Sequence, residues 1–208
     1  AQAVQSTFAP GGPLAQAAEG FVARDGQTQL AQAVARTIGQ GGVLVAEAAT
    51  GVGKTFAYLV PALLSGERVL VSTATKTLQD QLFGRDLPRL ARALGVPART
   101  ALLKGRGSYL CLHRLEFAGE SSDLRMTGAR HALSKIERWS KTTRTGDLAE
   151  LPGLDERSPV IPLVTSTREN CLGADCPKFR ACHVNLARRE AMAADVVVIN
   201  HHLFFTDL

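Results

Sequence analysis

The sequence predicts an α/β fold: a mostly parallel sheet with helices on both faces, interrupted by a mostly helical insertion. Three observations lead to this prediction. Short apolar runs alternate with helical patterns as far as residue 105, the alternation stops over residues 106–194, and another apolar run begins at Asp195. Strands that alternate with helices form parallel sheets, because each crossover helix packs back onto a face of the sheet.

Four apolar runs predict the strands of this sheet. Each is short enough for a buried strand and is bounded by residues that favour turns or helix ends. Three of them precede the insertion, at residues 43–48, 68–74 and 99–105. The fourth, at residues 195–205, follows the insertion and predicts a return strand.

Helical spacing of apolar residues fills the intervals between the strands. Residues 1–22, rich in Gly, Pro and Ala, predict an irregular lead-in, and a helix follows over residues 24–40. A further helix follows the first strand. Residues 75–95 predict one or two helices, bent near Gly84 and Pro88.

The insertion contains helical patterns and no convincing strand. Its three predicted helices cover residues 108–117, 123–141 and 178–194. A polar, Pro-containing segment lies over residues 142–162. The chain therefore divides into a first part over 1–105, an inserted domain over 106–194 and a return segment over 195–208.

Composition limits the class of protein. Of the 208 residues, 45% are hydrophobic, which is enough for a real core in one or two domains. The net charge of +5 allows an anionic partner such as nucleic acid without requiring one. No apolar run reaches the length of a membrane span, and the first residues lack the pattern of a signal peptide.

The stretch "EAATGVGKT", residues 47–55, has the pattern of a phosphate-binding loop between a strand and a helix. Glycines let the backbone approach phosphate, the lysine reaches the β- and γ-phosphates, and the threonine hydroxyl holds Mg²⁺. Ala48 replaces the first glycine of the pattern, which puts only the first turn in question. The alternative is a Gly-rich turn without a ligand. The predicted nucleotide site consists of Thr50, Gly51, Val52, Gly53, Lys54 and Thr55, with Lys54 and Thr55 as its catalytic residues.

All four cysteines fall in the insertion, and the last three form C-x4-C-x5-C in "CLGADCPKFRAC". Three thiols so close together, around Gly and Pro, can converge on one ion or cluster. Spacing alone leaves three interpretations open: a [4Fe–4S] cluster, a zinc site in which His113 or His183 replaces a thiol, and unrelated core cysteines. The candidate metal ligands are Cys111, Cys171, Cys176 and Cys182.

The order of these parts resembles the N-terminal part of the XPD-like, iron–sulfur DNA helicases of superfamily 2, in the bacterial YoaA/DinG branch and most of all its YoaA members. The matching segments are "RDGQTQL", "EAATGVGKTFAYLVPAL", "STATKTLQDQL", "LLKGRGSYLCL", "LVTSTRENCLGADCP" and "ADVVVINHHLF". They span nearly the whole chain. The resemblance implies a RecA-like motor fold that binds ATP and Mg²⁺, with a [4Fe–4S] cluster held by the four cysteines.

The resemblance also implies roles for residues outside the phosphate loop. Arg24 and Gln27 match an R-x-x-Q element whose glutamine amide pairs with the adenine edge. Taken alone, the two residues favour the alternative, a solvated turn at the start of a helix. Thr73, Thr75 and Lys76 match a region that contacts the DNA backbone, and helix capping is the alternative role for them.

By the same resemblance, the insertion forms a wedge past which single-stranded DNA is drawn. Arg138 and Lys141 are the candidate DNA contacts in it, and a solvated helix face is the alternative. Trp139 either stacks on a nucleobase or packs beneath its helix. Further basic residues lie on or beside the same predicted helix: Arg130, Lys135 and Arg144.

The implied function is ATP-driven, 5′ to 3′ translocation on single-stranded or forked DNA in replication and repair. We expect a monomer in the bacterial cytoplasm, associated with the nucleoid and not with a membrane, and a polymerase clamp-loader subunit is the implied protein partner. The alternative is a metal-stabilised P-loop module that acts in protein assembly. A small nucleotide kinase is disfavoured by the cysteine-containing insertion.

The 208 residues contain no D-E-A-H motif and no second motor domain. Phosphoryl transfer depends on charges positioned by both. We therefore expect an N-terminal fragment that has little or no ATPase or unwinding activity alone.

Overall fold

In the computed structural model, residues 2–17, 21–121 and 127–206 of the chain are described. The chain forms two compact units. The first comprises Ala1–Leu102 and Ala193–Leu208, and the second comprises Leu103–Met192. No helix in the described ranges is both long and apolar enough to cross a membrane.

The first unit contains a three-stranded sheet. Its strands are β1 (Val69–Thr73), β2 (Thr100–Leu103) and β3 (Val196–Asn200), in the order β1-β3-β2. β1 and β3 are parallel, with Val69 opposite Val196 and Thr73 opposite Asn200. The middle strand β3 is buried along most of its length, as the apolar strands of parallel sheets are. A small parallel sheet covered by helices is therefore confirmed.

The return strand is shorter than its apolar pattern predicts. β3 ends at Asn200, and helix α11 (His201–Thr206) follows directly. The Asn200 side-chain oxygen accepts a hydrogen bond from the Leu203 N–H at 2.7 Å. This capping contact begins the helix, so the prediction of a strand as far as residue 205 is wrong.

The strand predicted at residues 43–48 is absent from the described sheet, and this prediction is also wrong. The segment has no regular secondary structure and makes no strand pairing in the described ranges. Val43 and Val45 are 91% and 92% exposed. A β-branched apolar run becomes a strand only where a neighbour accepts and donates its backbone hydrogen bonds.

Two helices lie in the lead-in, which corrects the prediction of irregular structure for residues 2–17; residues 1 and 18–20, to which that prediction also applies, lie outside the described residues. The two helices are α1 (Gln2–Phe8) and α2 (Pro13–Ala17). Phe8 and Leu14 are each 1% exposed and belong to the core of the first unit. The Ala- and Gln-rich composition favours helix, and these two apolar side chains anchor the segment.

Two longer helices pack together beside the lead-in. α3 (Asp25–Gln40) coincides with the predicted helix, and α4 (Lys54–Ser65) follows the phosphate loop. Leu59, Val60 and Leu63 of α4 are buried, which confirms the apolar face that their spacing predicts.

Two helices joined by a π turn connect β1 to β2. α5 (Lys76–Gln81) continues into the π turn Leu82–Asp86, which continues into α6 (Leu87–Leu94). The predicted interruption near Gly84 corresponds to this turn. Pro88 lies in the first turn of α6, directly after this π turn.

The second unit consists of helices and short 3₁₀ turns around its own apolar core. The best-buried side chains of that core are Leu110, Ile136, Val160 and Val164. Its helices are α7 (Leu112–Ala118), α8 (Thr127–Trp139), α9 (Ile161–Val164) and α10 (His183–Ala193).

The helices predicted in this region begin later in the structure. α7 does not begin at residue 108, because Tyr109 forms an antiparallel bridge with Asp147. α10 does not begin at residue 178, because the 3₁₀ turn Phe179–Ala181 precedes it. For α8, predicted from residue 123, residues 123–126 lie outside the described residues.

A buried ion pair stands near the start of the second unit. Lys104 Nζ lies 2.7 Å from Asp147 Oδ2, with the two side chains 4% and 9% exposed. The Lys104 N–H also donates to the Tyr109 hydroxyl at 3.0 Å. Asp147 in turn accepts from the Ala149 N–H and caps a short 3₁₀ turn. Nothing in the sequence pattern indicates this pairing.

Candidate functional site

The predicted phosphate loop leads directly into α4. Gly51 and Gly53 have φ angles of +83° and +85°, a left-handed conformation that other residues rarely adopt. Gly53 is the N-cap of α4, so the free N–H groups of the helix follow the loop. Because these groups and the helix dipole both favour negative charge, the backbone has the shape that phosphate binding requires.

Lys54 stands at the first position of α4. Its Nζ donates to the carbonyl oxygens of Ala48 at 2.7 Å and Ala49 at 2.9 Å, which holds the ammonium group over the loop. Among the described residues, only glycines have a positive φ. Ala48 therefore has an ordinary backbone conformation, and the first position of this loop does not require glycine.

Gln27 ties helix α3 to the phosphate loop. Its side chain is 5% exposed, and its Nε2 donates to the Gly53 carbonyl oxygen at 2.9 Å. A Cβ atom at Gly53 would collide with this amide group. Gly53 is thus required twice, for its left-handed conformation and for the close approach of Gln27.

A cavity of about 320 Å³ adjoins the loop. It brings together four residues that the sequence singles out: Arg24, Gln27, Gly53 and Thr55. The remaining loop residues do not line it. Thr50 lies at the exposed turn of the loop, and Val52 is half-buried.

Sequence reasoning missed other residues around this cavity. Arg85 and Asp86, in the π turn, line it as well. Tyr58 lies near Thr55: burial raises the pKa of the Tyr58 hydroxyl, against the opposing effect of a hydrogen bond with Thr55. The signal that could have indicated Tyr58 is its spacing, three residues after Thr55 on the same helix face.

The three residues predicted to contact the DNA backbone lie at the junction of β1 and α5. Thr75 is the N-cap of α5, and its hydroxyl accepts from the Leu78 N–H at 3.2 Å. Thr73 is 7% exposed and donates to the Thr75 carbonyl oxygen. Lys76 is exposed at the start of the helix. The capping role is therefore present for Thr75, and DNA contact stays a prediction.

The four cysteines line one cavity of about 150 Å³ in the second unit. None of them forms a disulfide. Burial raises the pKa of the Cys111 thiol; the backbone N–H groups of His113 and Arg114 oppose this, and the nearby Cys176 and Cys182 add to it. The structure thus brings the four candidate ligands to one place, with Cys171 the most exposed of them.

The arrangement of these thiols leaves the kind of metal group open. A single zinc ion binds four sulfurs at about 2.3 Å each, and a [4Fe–4S] cluster takes four thiolates. In the described ranges, no three His, Cys, Asp or Glu side chains stand close enough together to hold a metal ion. The four thiols line one cavity, and their role as metal ligands stays a prediction.

The two histidines considered as zinc ligands have different positions. His113 lines the cysteine cavity, and its ring packs edge-on against Phe117. His183 is 6% exposed, does not line that cavity and lies against Gly146. Burial lowers the pKa of His183, so its ring stays neutral at physiological pH.

Two basic side chains on helix α8 make hydrogen bonds within the protein. Lys135 donates to the Pro152 carbonyl oxygen, and Arg138 Nε donates to the Ser134 carbonyl oxygen at 3.4 Å. Trp139 packs against the apolar core of the second unit, so of its two predicted positions the packed one is observed. Lys141 is exposed.

The DEAD/DEAH box helicase family matches residues 27–117 of the chain. The chain is 48% identical, over 205 residues, to the ATP-dependent DNA helicase YoaA of Haemophilus influenzae, and 48% identical, over 204 residues, to that of Escherichia coli. It is 40% identical over 217 residues to the ATP-dependent helicase DinG of Mycobacterium tuberculosis. These matches cover 99%, 97% and 93% of the chain. The chain spans 32% of the length of each of these relatives.

Proposed function

We propose that this chain, which has a DEAD/DEAH box helicase domain and is 48% identical to YoaA helicases over nearly its whole length, supplies the ATP-binding loop of an ATP-dependent DNA helicase. One observation carries the proposal. The left-handed Gly51 and Gly53 lead directly into the start of α4, and Lys54 is held over the loop. A Gly-rich turn without a ligand would not need this combination.

Each loop residue has a role in binding ATP. The backbone N–H groups of the loop and the Lys54 ammonium group bind the β- and γ-phosphates. The Thr55 hydroxyl would hold Mg²⁺, which would neutralise charge on the phosphates. Arg24 and Gln27 bind the adenine end, in the cavity that adjoins Gly53. Because Gln27 donates to the Gly53 carbonyl oxygen, binding of the base is linked to the conformation of the loop.

The test of this site is ATP affinity, measured by calorimetry with and without Mg²⁺. We expect Lys54→Ala to weaken binding roughly 10- to 100-fold, as loss of a hydrogen bond from a charged group does. Lys141→Ala removes an exposed lysine in the second unit and is the matched control. If both variants bind ATP as the unchanged chain does, the loop is not a nucleotide site.

We further propose that Cys111, Cys171, Cys176 and Cys182 hold a [4Fe–4S] cluster. Support comes from the four free thiols, which line one cavity. When bound, such a cluster supplies a rigid cross-link and a redox-active centre. The protein contributes the thiolates, and the N–H groups of His113 and Arg114 next to the Cys111 sulfur stabilise its charged form.

Metal and acid-labile sulfide analysis of protein purified without oxygen tests the cluster. We expect about four irons and four sulfides per chain, with a brown colour that dithionite bleaches. Cys176→Ser should lower both contents together, whereas Ser166→Ala, a change at a non-thiol residue of the same cavity, should leave them unchanged. One zinc per chain in a colourless solution would overturn the cluster proposal and leave the ATP site intact.

The substrate follows from the same family membership. We propose that the parent protein translocates 5′ to 3′ on single-stranded or forked DNA in replication and repair, as a monomer in the bacterial cytoplasm at the nucleoid. Thr73, Thr75, Lys76, Arg138 and Lys141 are the proposed DNA contacts. A polymerase clamp-loader subunit is the proposed protein partner.

Salt-dependent binding of oligonucleotides distinguishes a helicase from a module that acts in protein assembly. We expect single-stranded DNA to bind more tightly than duplex, with an affinity that falls as salt rises. Lys141→Ala should reduce the slope of that dependence by about one, since one phosphate contact is lost. Arg36→Ala, an exposed change on α3, is the control. If neither form of DNA binds at low salt, the assembly role is favoured instead.

A further inference from the structure

The cavity beside the phosphate loop has a wall formed by the π turn Leu82–Asp86. A π turn has more residues per turn than the α-helix on either side, and such turns occur frequently at functional sites. Here the turn places two adjacent charged residues, Arg85 and Asp86, at the cavity that Gln27, Gly53 and Thr55 also line.

Arg85 is anchored by its neighbour. Its Nε lies 2.9 Å from Asp86 Oδ1, and Gln81 Nε2 donates to the other carboxylate oxygen at 3.2 Å. The Asp86 side chain is 5% exposed, whereas that of Arg85 is 66% exposed. A buried carboxylate with both oxygens engaged therefore fixes one edge of a guanidinium group whose remaining surface faces solvent.

The lining of the cavity indicates which part of a nucleotide it suits. Gly53 and Thr55 line it, but Lys54, the predicted ligand of the β- and γ-phosphates, does not. Gln27 lines it with a carboxamide that can pair with the edge of a base. Because Gln27 and not Lys54 lines it, this cavity suits the base end of the nucleotide.

We infer that Arg85 contacts the nucleobase of the bound nucleotide. A guanidinium group is planar and delocalised, and it binds the face of a flat aromatic ring well, whereas a lysine ammonium group does not have this shape. Asp86 is a positioning residue that holds the guanidinium plane in place. The inference rests on the proposed ATP site and adds to it a base-binding residue from the α5–α6 connection.

The test compares two probes in the full chain: ATP, and inorganic triphosphate, which has the phosphates but no base. We expect Arg85→Ala to weaken ATP binding about two- to fivefold, the size of a cation–π contact at an exposed site, and to leave triphosphate binding unchanged. Arg85→Lys should lose most of the same affinity, because it keeps the charge but not the plane. Arg92→Ala is the matched control, since Arg92 lies on α6, donates to the Pro88 carbonyl oxygen and does not line the cavity.

Asp86→Asn should also weaken ATP binding, but by a smaller factor than Arg85→Ala does. Combined with Arg85→Ala it should cause no further loss, because the two residues act as one unit. Equal loss of ATP and triphosphate binding in Arg85→Ala would overturn the inference, and so would no loss of either. Failure of the proposed ATP site has a different signature: Lys54→Ala would then leave the affinity for both probes unchanged.

Discussion

Gly51 and Gly53 have the same left-handed conformation but different surroundings. A Cβ at Gly51 would meet nothing within 4 Å, whereas one at Gly53 would collide with the Gln27 amide group. A left-handed conformation costs a residue with a Cβ about 1–2 kcal/mol. Gly51→Ala should therefore carry this strain alone, and Gly53→Ala should add the displacement of Gln27.

We expect Gly53→Ala to reduce both ATP affinity and thermal stability more than Gly51→Ala does. The measurements are calorimetric titration with ATP and the midpoint of thermal unfolding. Gly39→Ala is the control, because Gly39 lies inside α3 with open space around it. That change should stabilise the chain by about 0.5–1 kcal/mol. Equal losses in Gly51→Ala and Gly53→Ala would contradict the role given to Gln27.

The buried pair of Lys104 and Asp147 provides a second prediction at the scale of residues. Removing one partner leaves an uncompensated buried charge, so Lys104→Met should lower the free energy of unfolding by about 3–5 kcal/mol. The measurement is urea unfolding, followed by a spectroscopic signal from the second unit. Replacing both partners with apolar residues, Lys104→Met with Asp147→Leu, should recover much of the loss. A loss of the same size in the single and double variants would show that the charge is not what matters.

At the scale of elements, β2 and β3 are joined at their starts by an ion pair. Arg99 Nη2 lies 3.2 Å from Asp195 Oδ1, the Arg99 N–H donates to Asp195 Oδ2 at 2.8 Å, and the Asp195 N–H donates to the Arg99 carbonyl oxygen. Hydrogen bonds from the Arg99 side chain and backbone hold the pKa of Asp195 below its ordinary value. The folded state therefore takes up a proton at this carboxylate less readily than the unfolded state.

This difference predicts a direction of pH dependence. The stabilisation is complete above the ordinary aspartate pKa of about 3.9 and is lost as the pH falls through the lower pKa of the folded state. Asp195→Asn and Arg99→Ala should each flatten the acid limb of a stability curve measured by thermal unfolding. Arg36→Ala should leave that limb unchanged. An identical acid limb in all variants would mean that the pair does not stabilise the junction.

The elements also show which parts of the fold depend on the local sequence alone. Helix α3 and the start of α4 were predictable, because apolar spacing and the loop pattern act within a few residues. The helices at residues 2–17 were missed, since the burial of Phe8 and Leu14 depends on helices distant in sequence. The π turn has no sequence signal apart from Gly84, because its form follows from how α5 and α6 pack.

The residues of the candidate sites also fall into two groups: those that a local motif predicts and those that only the fold brings to the site. The pattern G-x-G-K-T and the cysteine order indicated Lys54, Thr55 and the four thiols without any knowledge of the fold. Arg85 and Asp86 lie in no motif and line the cavity beside the phosphate loop only because the fold brings the π turn there. A sequence motif predicts which residues bind phosphate, whereas the fold determines which residues line the adjoining cavity.

At the scale of the whole molecule, we expect the chain to bind ATP without turning it over. The 208 residues hold the loop, but no D-E-A-H motif to position the attacking water. We expect this chain to bind ATP while hydrolysing it at the background rate, with or without single-stranded DNA, as followed by phosphate release. DNA-stimulated hydrolysis that Lys54→Ala abolishes would contradict this expectation.

The exposed segment at residues 43–48 should also affect how the chain behaves in concentrated solution. Val43 and Val45 expose β-branched side chains to solvent, with no strand beside them in the described part of the chain. Identical segments on different molecules can pair edge to edge, which is the first step of aggregation. Light scattering should therefore rise with protein concentration, and Val45→Lys should suppress that rise by placing repelling charges on the paired segments. We therefore expect the run that leads into the phosphate loop to limit the solubility of this chain as well.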